Sequence, residues 1–467
     1  MDELLPVEPV RPPSPLRRRT LLVVTLVLIA AFVVVAGLEG SGFIIQPRPA
    51  PAVEATLAPK PPTRLAVIGL DGALSSIDAS DGSTVDYPAA GGSFGFPAWS
   101  PDGTRITAIG TGGQEGILAL FTAPVDRSAT SAALPTILYQ SENHPPFYAY
   151  WAPDGAAIAF LTTELNGITL RRVPADSSGP DTTIRTGAPM YWQWIDPSSL
   201  LVHSGGDAAS GFAGEVGLDG SPVGSTTLEA GAFRAPAVSS DGKYLAFATS
   251  LQDGSAQVVV EARDGSPATR HAIPVYGTAA IEFDPASDRV AFIAQSIPDV
   301  PSNLPIGPLR IVNAATGALR TILDGGVIVF FWSPDGRTIA AIRVPDPTDG
   351  NVASLTEPKA VLTRATRATA HGTATADDDI SMQLVFVDSA TGTIRSRKMI
   401  RESVLFGTQV EPYFDQYALS HRFWSPDSQS IVLPIDDDQG ASQITVFHAD
   451  GSDPQVLGHG EFAAWSP

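Results

Sequence analysis

One pentapeptide of the sequence has the spacing of a catalytic serine: Gly91-Gly92-Ser93-Phe94-Gly95 matches the pattern G-x-S-x-G. In hydrolases that use this pattern, the serine lies on a sharp turn between a strand and a helix, and an acid and a histidine follow further along the chain. Here the pentapeptide directly precedes the segment FPAWSPDG, and no alternating β/α region of hydrolase size follows. We therefore interpret it as a chance turn and predict no catalytic residues.

Other residues that could hold a metal or a cofactor are scattered along the chain. The seven histidines include no pair at the spacing of metal ligands on one helix or hairpin, and no glycine-rich phosphate loop is present. The chain has no cysteine, which excludes thiolate ligands, cysteine nucleophiles and disulfides. We therefore predict no resident cofactor and no metal site, with a metal site assembled from distant repeats as the alternative.

Two acidic runs could supply oxygen ligands to calcium: Asp377-Asp378-Asp379 and Asp436-Asp437-Asp438. Neither run has the spacing of an EF-hand loop, so we interpret both as solvated turns and keep calcium as the alternative. The formal net charge of −20 disfavours contact with phosphate backbones. This charge predicts no nucleic-acid partner and suits solubility, cationic partners or divalent ions.

The N-terminal part of the chain predicts a membrane anchor. Residues 20–38 form an uncharged apolar run that would span about 28 Å as a helix, close to the ~30 Å hydrocarbon core of a bilayer. The run Arg17–Arg19 precedes it and Glu39 follows it, which places residues 1–19 in the cytoplasm and the rest outside. Residues 39–62 are proline-rich and predict an extended stalk. A cleaved signal peptide is the alternative, but its apolar region is normally shorter.

Residues 63–467 are dominated by an internal repeat that recurs mostly every 41–52 residues or so. Its copies are AWSPDGTRITAI from Ala98, YWAPDGAAIAFL from Tyr150, QWIDPSSLLVHS from Gln193, AVSSDGKYLAFA from Ala237, EFDPASDRVAFI from Glu282, FWSPDGRTIAAI from Phe331 and FWSPDSQSIVLP from Phe423. In each copy an apolar strand ends at a turn where Pro presets φ, Asp bonds the local backbone and Gly accepts a positive φ. An alternating strand and two further strands follow, and four strands per period are typical of a propeller blade.

The two ends of the repeat region complete each other. The segment RLAVIGL from Arg64 begins a blade without its first strand, and the C-terminal GEFAAWSP is a first strand without its blade. Pairing them closes the ring and removes exposed sheet edges. The sequence therefore predicts an all-β propeller of eight blades closed by its terminal strands, with seven blades as the alternative. In this fold the tryptophans at strand ends pack between blades and the turn aspartates serve turn geometry.

These repeats resemble the WD40-like repeat of TolB-type propellers, whose hallmark is the WSPDG turn. Trp99–Gly103 and Trp332–Gly336 match the turn fully, and Trp424–Asp427 matches all but its last residue. The resemblance covers residues 64–467 and implies the propeller fold. It implies no single function, because this repeat occurs in scaffolds, sensors and protease-associated domains. The helical N-terminal domain of TolB proper has no counterpart in the sequence, so no role or partner is carried over.

The repeat is interrupted twice between Trp332 and Trp424. Residues 344–380 lack strand alternation and are rich in Thr, Ala and Asp, which predicts a mainly disordered loop. Residues 401–420 are also irregular, but they contain the aromatic and acidic side chains of a contact loop. The predicted binding residues are Phe406, Glu411, Tyr413, Phe414, Asp415 and Tyr417.

The leading functional hypothesis is a non-enzymatic protein-binding or scaffolding module, anchored in the cell membrane by a single pass. Its propeller would lie in the periplasm or outside the cell, and its partner would be an extracytoplasmic protein, a peptide or a glycan. The alternative is a propeller enzyme, a lactonase-like or lyase-like hydrolase with a site at the channel mouth. A transmembrane sensor is disfavoured because nineteen residues before the helix are too few for an output domain.

Overall fold

The computed structural model describes residues 63–88, 92–111, 117–125, 135–165, 167–205, 211–227, 235–250, 256–266, 269–295, 305–345 and 381–467. The predicted cytoplasmic tail, anchor and stalk lie outside these residues, as do most of the predicted disordered loop and the run Asp377–Asp379. Among the described residues, none belongs to a helix that is both long enough and apolar enough to cross a membrane.

The described residues form antiparallel β-sheets in which strands that follow one another in sequence are paired. In chain order the strands are β1 (Arg64–Ile68), β2 (Leu74–Asp78), β3 (Thr84–Tyr87), β4 (Phe94–Trp99), β5 (Arg105–Thr111), β6 (Leu118–Pro124), β7 (Thr136–Gln140), β8 (Pro146–Trp151), β9 (Ala157–Glu164), β10 (Gly167–Pro174), β11 (Thr182–Gly187), β12 (Met190–Asp196), β13 (Ser199–Ser204), β14 (Phe212–Gly217), β15 (Pro222–Thr227), β16 (Ala237–Val238), β17 (Tyr244–Ser250), β18 (Ala256–Ala262), β19 (His271–Phe283), β20 (Arg289–Gln295), β21 (Gly307–Asn313), β22 (Leu319–Trp332), β23 (Thr338–Arg343), β24 (Met382–Asp388), β25 (Ile394–Ile400), β26 (Ser430–Asp436), β27 (Ser442–His448), β28 (Gln455–His459) and β29 (Phe462–Trp465).

The sheets repeat a four-stranded meander. Strands β4–β7, β8–β11 and β12–β15 each form one such sheet, and β26–β28 form a three-stranded sheet that Trp424 extends by a bridge to Ile431. Strands β16–β25 form one continuous sheet because β19 and β22 are long. The first part of β19 pairs with β18 and the second part pairs with β20, and β22 divides in the same way between β21 and β23.

Burial explains the two kinds of strand sequence. The second part of β22, VIVFFW, is buried throughout because it lies at the centre of the molecule between neighbouring sheets. Strand β25, IRSRKMI, is the fourth strand of its group and alternates between half-buried and exposed positions. A continuous apolar run therefore marks an inner strand, and alternation marks an outer strand.

The predicted turn chemistry is confirmed. Between β4 and β5, the Asp102 carboxylate accepts hydrogen bonds from the Ser100 hydroxyl at 2.6 Å and from the Thr104 backbone N–H at 3.0 Å. The Ser100 hydroxyl oxygen in turn accepts the Arg105 N–H at 2.9 Å, and Gly103 has a φ of 67°. The serine and aspartate of this turn thus satisfy backbone donors within one short loop.

The tryptophans that precede these turns join neighbouring sheets, as predicted. The Trp99 indole N–H donates to the carbonyl of Ala464 at 3.0 Å, and the Trp424 indole N–H donates to the carbonyl of Phe331 at 3.0 Å. In each case the acceptor belongs to the inner strand of the preceding sheet. The repeated residue therefore packs between sheets and also hydrogen-bonds across the junction.

The predicted closure by the terminal strands is confirmed. Strand β1 pairs with β29 in a register that places Leu65 opposite Trp465 and Ile68 opposite Phe462. The Ser466 N–H donates to the Arg64 carbonyl at 2.8 Å, and the Arg64 N–H donates to the Ser466 hydroxyl at 3.0 Å. The last strand of the chain is therefore the inner strand of the first sheet.

Candidate functional site

Residues 401–421, called here the channel segment, occupy the central channel of the propeller. They form a π-helical turn at Phe406–Val410, a 3-10 turn at Glu411–Tyr413 and helix α1 at Phe414–Ser420. Helix α1 contacts β8, β12, β19 and β22, which are inner strands from different positions around the ring. The segment therefore fills the space on which the sheets converge.

Local chemistry permits these turns, but packing must stabilise them. Pro412 lies at the start of the 3-10 turn, where a missing N–H breaks no helical hydrogen bond. The helix ends at His421, which is extended and whose N–H donates to the Tyr417 carbonyl at 2.8 Å. A helix as short as α1 is marginal in water, so its contacts with the surrounding strands must supply its stability.

Aromatic rings make most of these contacts. Phe414 is fully buried, and its ring lies edge-on to Phe330 at 5.3 Å and to Phe331 at 6.0 Å between centroids. Three residues further along the helix, the Tyr417 ring lies edge-on to Tyr148 at 5.3 Å. Edge-to-face packing adds to the free energy gained by burying the rings.

A glutamine side chain fixes the helix to one inner strand. The Gln416 Oε1 accepts the backbone N–H of Trp192 at 3.0 Å, and its Nε2 donates to the carbonyl of the same residue at 2.7 Å. The Gln416 Nε2 also donates to the Tyr148 hydroxyl oxygen at 3.2 Å. The amide thus takes the place of a neighbouring strand for β12, and it satisfies polar groups that would be costly to bury alone.

A serine and a histidine at the end of α1 form a short hydrogen-bonded chain. The His421 Nε2 lies 3.3 Å from the Phe96 carbonyl, which can only accept, so this nitrogen carries the proton. Its Nδ1 therefore accepts from the Ser420 hydroxyl at 2.7 Å, and Ser420 accepts from the Tyr148 hydroxyl at 2.6 Å. Burial lowers the pKa of His421 to about 4, so the imidazole is neutral at pH 7 and a weak base.

Four acidic side chains lie in or against the channel segment. Glu402 and Glu411 are hydrogen-bonded to each other, and Asp415 on α1 interacts with Glu282 of β19. Burial raises the pKa of Glu402 to about 7 and raises the pKa values of Glu411 and Glu282 well above the usual range. The neighbouring carboxyl group adds to the shift for Glu411 and Glu282. Glu411 and Glu282 therefore favour the protonated form at neutral pH, whereas Glu402 changes its charge near pH 7.

The prediction that residues 401–420 form an irregular loop is wrong, because most of them are helical and packed in the channel. Of the predicted binding residues, all but the partly buried Tyr413 are buried: Phe406, Glu411, Phe414, Asp415 and Tyr417. The signal that was missed is their helical spacing, since Phe406, Val410, Phe414 and Tyr417 recur every three or four residues. Their role in binding a partner is not tested by this burial and stays a prediction.

Among the described residues, no histidine and no acidic side chain hydrogen-bonds with Ser93. This residue leads directly into β4 rather than into a helix, and its N–H donates to the Thr111 hydroxyl at 3.0 Å. A cavity of about 30 Å³ is lined in part by Ser93, Phe94 and Phe147. This volume suits a water molecule and is too small for an organic substrate. The geometry thus agrees with the interpretation of the pentapeptide as a chance turn.

The acidic run Asp436–Asp438 begins at the last residue of β26 and continues into a turn. The Asp437 carboxylate accepts the N–H groups of Gln439 at 2.8 Å and Ala441 at 2.9 Å, and Asp438 pairs with Arg401 at 3.0 Å. Across the described ranges, no three or more His, Asp or Glu side chains are grouped as metal ligands. Calcium binding stays an untested alternative.

No family model and no curated protein matches this sequence. Among solved structures, prolyl endopeptidases match with a TM-score of 0.50 at 11% identity, over 80% of this chain and 50% of theirs. TolB from Acinetobacter baumannii matches with a TM-score of 0.36 at 11% identity, over 87% of this chain and 66% of its own. An oligogalacturonate lyase in complex with manganese matches with a TM-score of 0.44 at 11% identity, over 83% and 84% of the two chains.

These similarities to solved structures concern the fold. The chain spans less than two thirds of the length of the first two of these structures. At 11% identity the match to the prolyl endopeptidases shows the fold alone. Together with the ordered antiparallel sheets, it establishes an all-β propeller.

Proposed function

We propose that the protein is a membrane-anchored, extracytoplasmic propeller of the TolB-like, WD40-like type that acts as a non-enzymatic protein-binding or scaffolding module. The observation that carries this proposal is the channel segment. Its helix α1 packs against the inner strands β8, β12, β19 and β22, so the chain itself occupies the space where a propeller enzyme would bind a substrate. Binding through an outer face of the ring is then the function that the geometry supports best.

The topology suggests which face is free for a partner. The Ser-Pro-Asp-Gly turns join the inner strand of each group to its second strand, and they define one end of the ring, called here the turn face. Strand β1 is a second strand, so Arg64 begins at the turn face, where it contacts Ser466. The proposed stalk therefore joins the propeller at the turn face, and the opposite end, the loop face, points away from the membrane.

Exposed apolar side chains on the loop face support a contact surface there. Leu165, between β9 and β10, is 98% exposed, Val404 is 68% exposed and Tyr276 is 52% exposed. Leu165 lies in the connection from a second strand to a third strand, and Tyr276 and Val404 lie where a fourth strand leads to the next inner strand. Both kinds of connection lie at the loop face. Single exposed apolar residues are common, so their joint contribution requires a direct test.

The test is affinity capture of the full-length chain from detergent-solubilised membranes after chemical cross-linking. The test variant carries Leu165→Glu, Tyr276→Glu and Val404→Glu. The matched control carries Leu319→Glu, because Leu319 is a 45% exposed apolar residue that begins an outer strand at the turn face. We expect the wild type and the control to enrich the same partner, and the triple variant to lose it.

Two results would contradict the proposal. One is that no partner is enriched by the wild type, which removes the binding function. The other is equal enrichment by the triple variant and the control, which removes the loop face as the binding surface. Circular dichroism on all three proteins separates lost binding from lost folding.

The sheet order supports eight blades. Division of the continuous sheet within β19 and β22 yields three groups, and the sheets β29-β1-β2-β3, β4–β7, β8–β11 and β12–β15 yield four more. Trp424 and β26–β28 form the last group.

An enzyme with its site near the channel is the second candidate, and one observation favours it. The Ser420 hydroxyl donates to His421 Nδ1 at 2.7 Å, which is the geometry of a nucleophile and its base. Hydrolysis of an ester or lactone that is lost in Ser420→Ala and kept in the half-buried control Thr408→Ala would favour this candidate over the scaffold.

A further inference from the structure

Carboxyl pairs, rather than ion pairs, hold two points of the channel segment. The first pair lies within the segment, where Glu402 follows β25 and hydrogen-bonds with Glu411 of the 3-10 turn. Glu411 is buried, and the buried Oε1 of Glu402 accepts no hydrogen bond from any described residue. Glu402 also bridges to Ile435 of β26, so the pair connects the start of the segment and its middle to the wall of the channel.

The second pair joins the segment to an inner strand. Glu282, in the second part of β19, is 8% exposed, and its Oε2 accepts no hydrogen bond from the described residues. Asp415 on α1 is buried and acts on Glu282 electrostatically. Two carboxylates this deep would repel each other and lose their hydration, so the inserted helix requires protons on the pair.

The other titratable groups around the segment do not offset these charges. The tyrosines that face it from β8 and β12 and along the segment, together with the one histidine, are Tyr148, Tyr150, Tyr191, Tyr413, Tyr417 and His421. Burial raises the pKa values of Tyr148, Tyr150 and Tyr417 and lowers that of His421, so all four are neutral at pH 7.

The charged groups near the pairs are engaged elsewhere. Arg401 pairs with Asp438, and its carbonyl accepts the N–H of Asp436 at 2.8 Å. Arg422 acts electrostatically on Tyr150. Strand β22 faces the helix with phenylalanine rings. Burial and the second carboxyl group therefore decide the proton affinity of each pair.

We propose that the channel segment is a proton-dependent latch: it is held in the channel while its carboxyl pairs carry protons, and ionisation of the pairs releases it. Release would expose the aromatic wall formed by Phe330, Phe331 and Tyr148 without breaking the β1–β29 closure. The propeller would then be closed at its centre in acid and open toward neutral and alkaline pH.

The direction of this pH dependence follows from the raised pKa values of the carboxyl groups. A carboxyl group whose pKa is raised in the inserted state stabilises that state fully below its ordinary pKa of about 4.3. The stabilisation is lost as the pH rises toward the raised value, which for Glu402 is about 7. Between pH 5 and pH 8 this single group would change the closing equilibrium by on the order of tenfold or more.

The test is native-state hydrogen exchange on the full-length chain at pH 5 and pH 8, corrected for the intrinsic exchange rate. The readout is the protection of amides in α1 relative to amides in β23. We expect this ratio to fall at least about tenfold in the wild type between pH 5 and pH 8. In Glu402→Gln the fall should be much smaller, because the carboxyl group whose pKa burial raises to about 7 is replaced by an amide that does not titrate.

Asp388→Asn is the matched control, since Asp388 pairs with Arg395 outside the channel and should leave the fall unchanged. If Glu402→Gln does not fold, Glu282→Gln takes its place and should also reduce the fall. Three results would overturn the latch: an equal ratio at both pH values, an equal fall in the carboxyl variant and the control, or parallel loss of protection in β23 and α1.

Discussion

The repeat turns and the channel segment are built on opposite principles. In the turn after Trp332, Ser333 donates to Asp335 at 2.7 Å and accepts the N–H of Thr338 at 3.0 Å, so both of these partners of the serine lie within six residues. In the channel segment, Gln416 pairs with Trp192, and His421 meets the carbonyl of Phe96. The turns are specified locally, whereas the segment has its structure only inside the assembled ring.

This difference assigns a role to each region. The turns and their tryptophans repeat around the ring and can form sheet by sheet. The channel segment occurs once and supplies the side chains that fill the centre, because interiors are packed at the density of organic crystals. Loss of a ring contact should therefore affect the whole molecule, and loss of a segment contact should affect the centre first.

The largest effect is expected where the ring itself closes. Deletion of Glu461–Pro467 removes β29, which buries Phe462 and Trp465 and pairs with β1. Each large aromatic residue lost from a core costs about 3–5 kcal/mol. We expect the melting temperature to fall by on the order of 10 °C or more, or the protein to fail to fold, as measured by calorimetry.

Deletion of Pro467 alone is the control for the closure prediction. It removes the terminal residue beyond β29 and keeps every pair of the β1–β29 ladder. We expect a change within about 0.5 kcal/mol. A full deletion that melts like this control would show that the ring does not depend on β29.

The same contrast explains how far the sequence could predict the molecule. The closure was predictable because RLAVIGL has the pattern of a second strand and GEFAAWSP has the pattern of a first strand, so the two segments can complete one blade. The turns were predictable because Pro, Asp and Gly act within four residues. Both inferences need only the local sequence and the rule that sheet edges are paired.

The channel segment was not predictable in the same way. Its aromatic residues were identified, but α1 is too short to form alone, and Pro412 argues against a continuous helix. The partners of Phe414 and Gln416 lie on strands that are distant in sequence. The sequence could therefore identify the aromatic side chains of the channel segment. It could not predict the inner strands against which they pack.

Truncation of a channel ring is expected to have the second largest effect. Phe414→Ala removes a fully buried ring from its contacts with Phe330 and Phe331 and should cost about 3–5 kcal/mol in urea unfolding. Val404→Ala, in the same segment but 68% exposed, should change stability by less than about 0.5 kcal/mol. Equal effects of the two substitutions would mean that the segment does not pack in the channel as described.

The smallest effect tests whether the turns are as local as they look. Gly336 and Gly155 occupy the same turn position, with φ values of 68° and 69°, so alanine at either should cost about 1–2 kcal/mol from backbone strain. A Cβ on Gly155 would lie 3.7 Å from Pro101, which is ordinary contact. A Cβ on Gly336 would overlap Oδ1 of Asp284, a fully buried carboxylate that Arg289 holds at 2.9 Å.

We therefore expect Gly336→Ala to cost roughly 1–3 kcal/mol more than Gly155→Ala in urea unfolding, because overpacking adds to the strain. Equal costs would mean that the turn position is purely local and that Asp284 moves aside freely. A larger cost at Gly336 would show that one copy of the repeat also depends on the neighbouring sheet. The turns and the channel segment would then differ only in how much they depend on residues distant in sequence, and Gly336 would be an intermediate case.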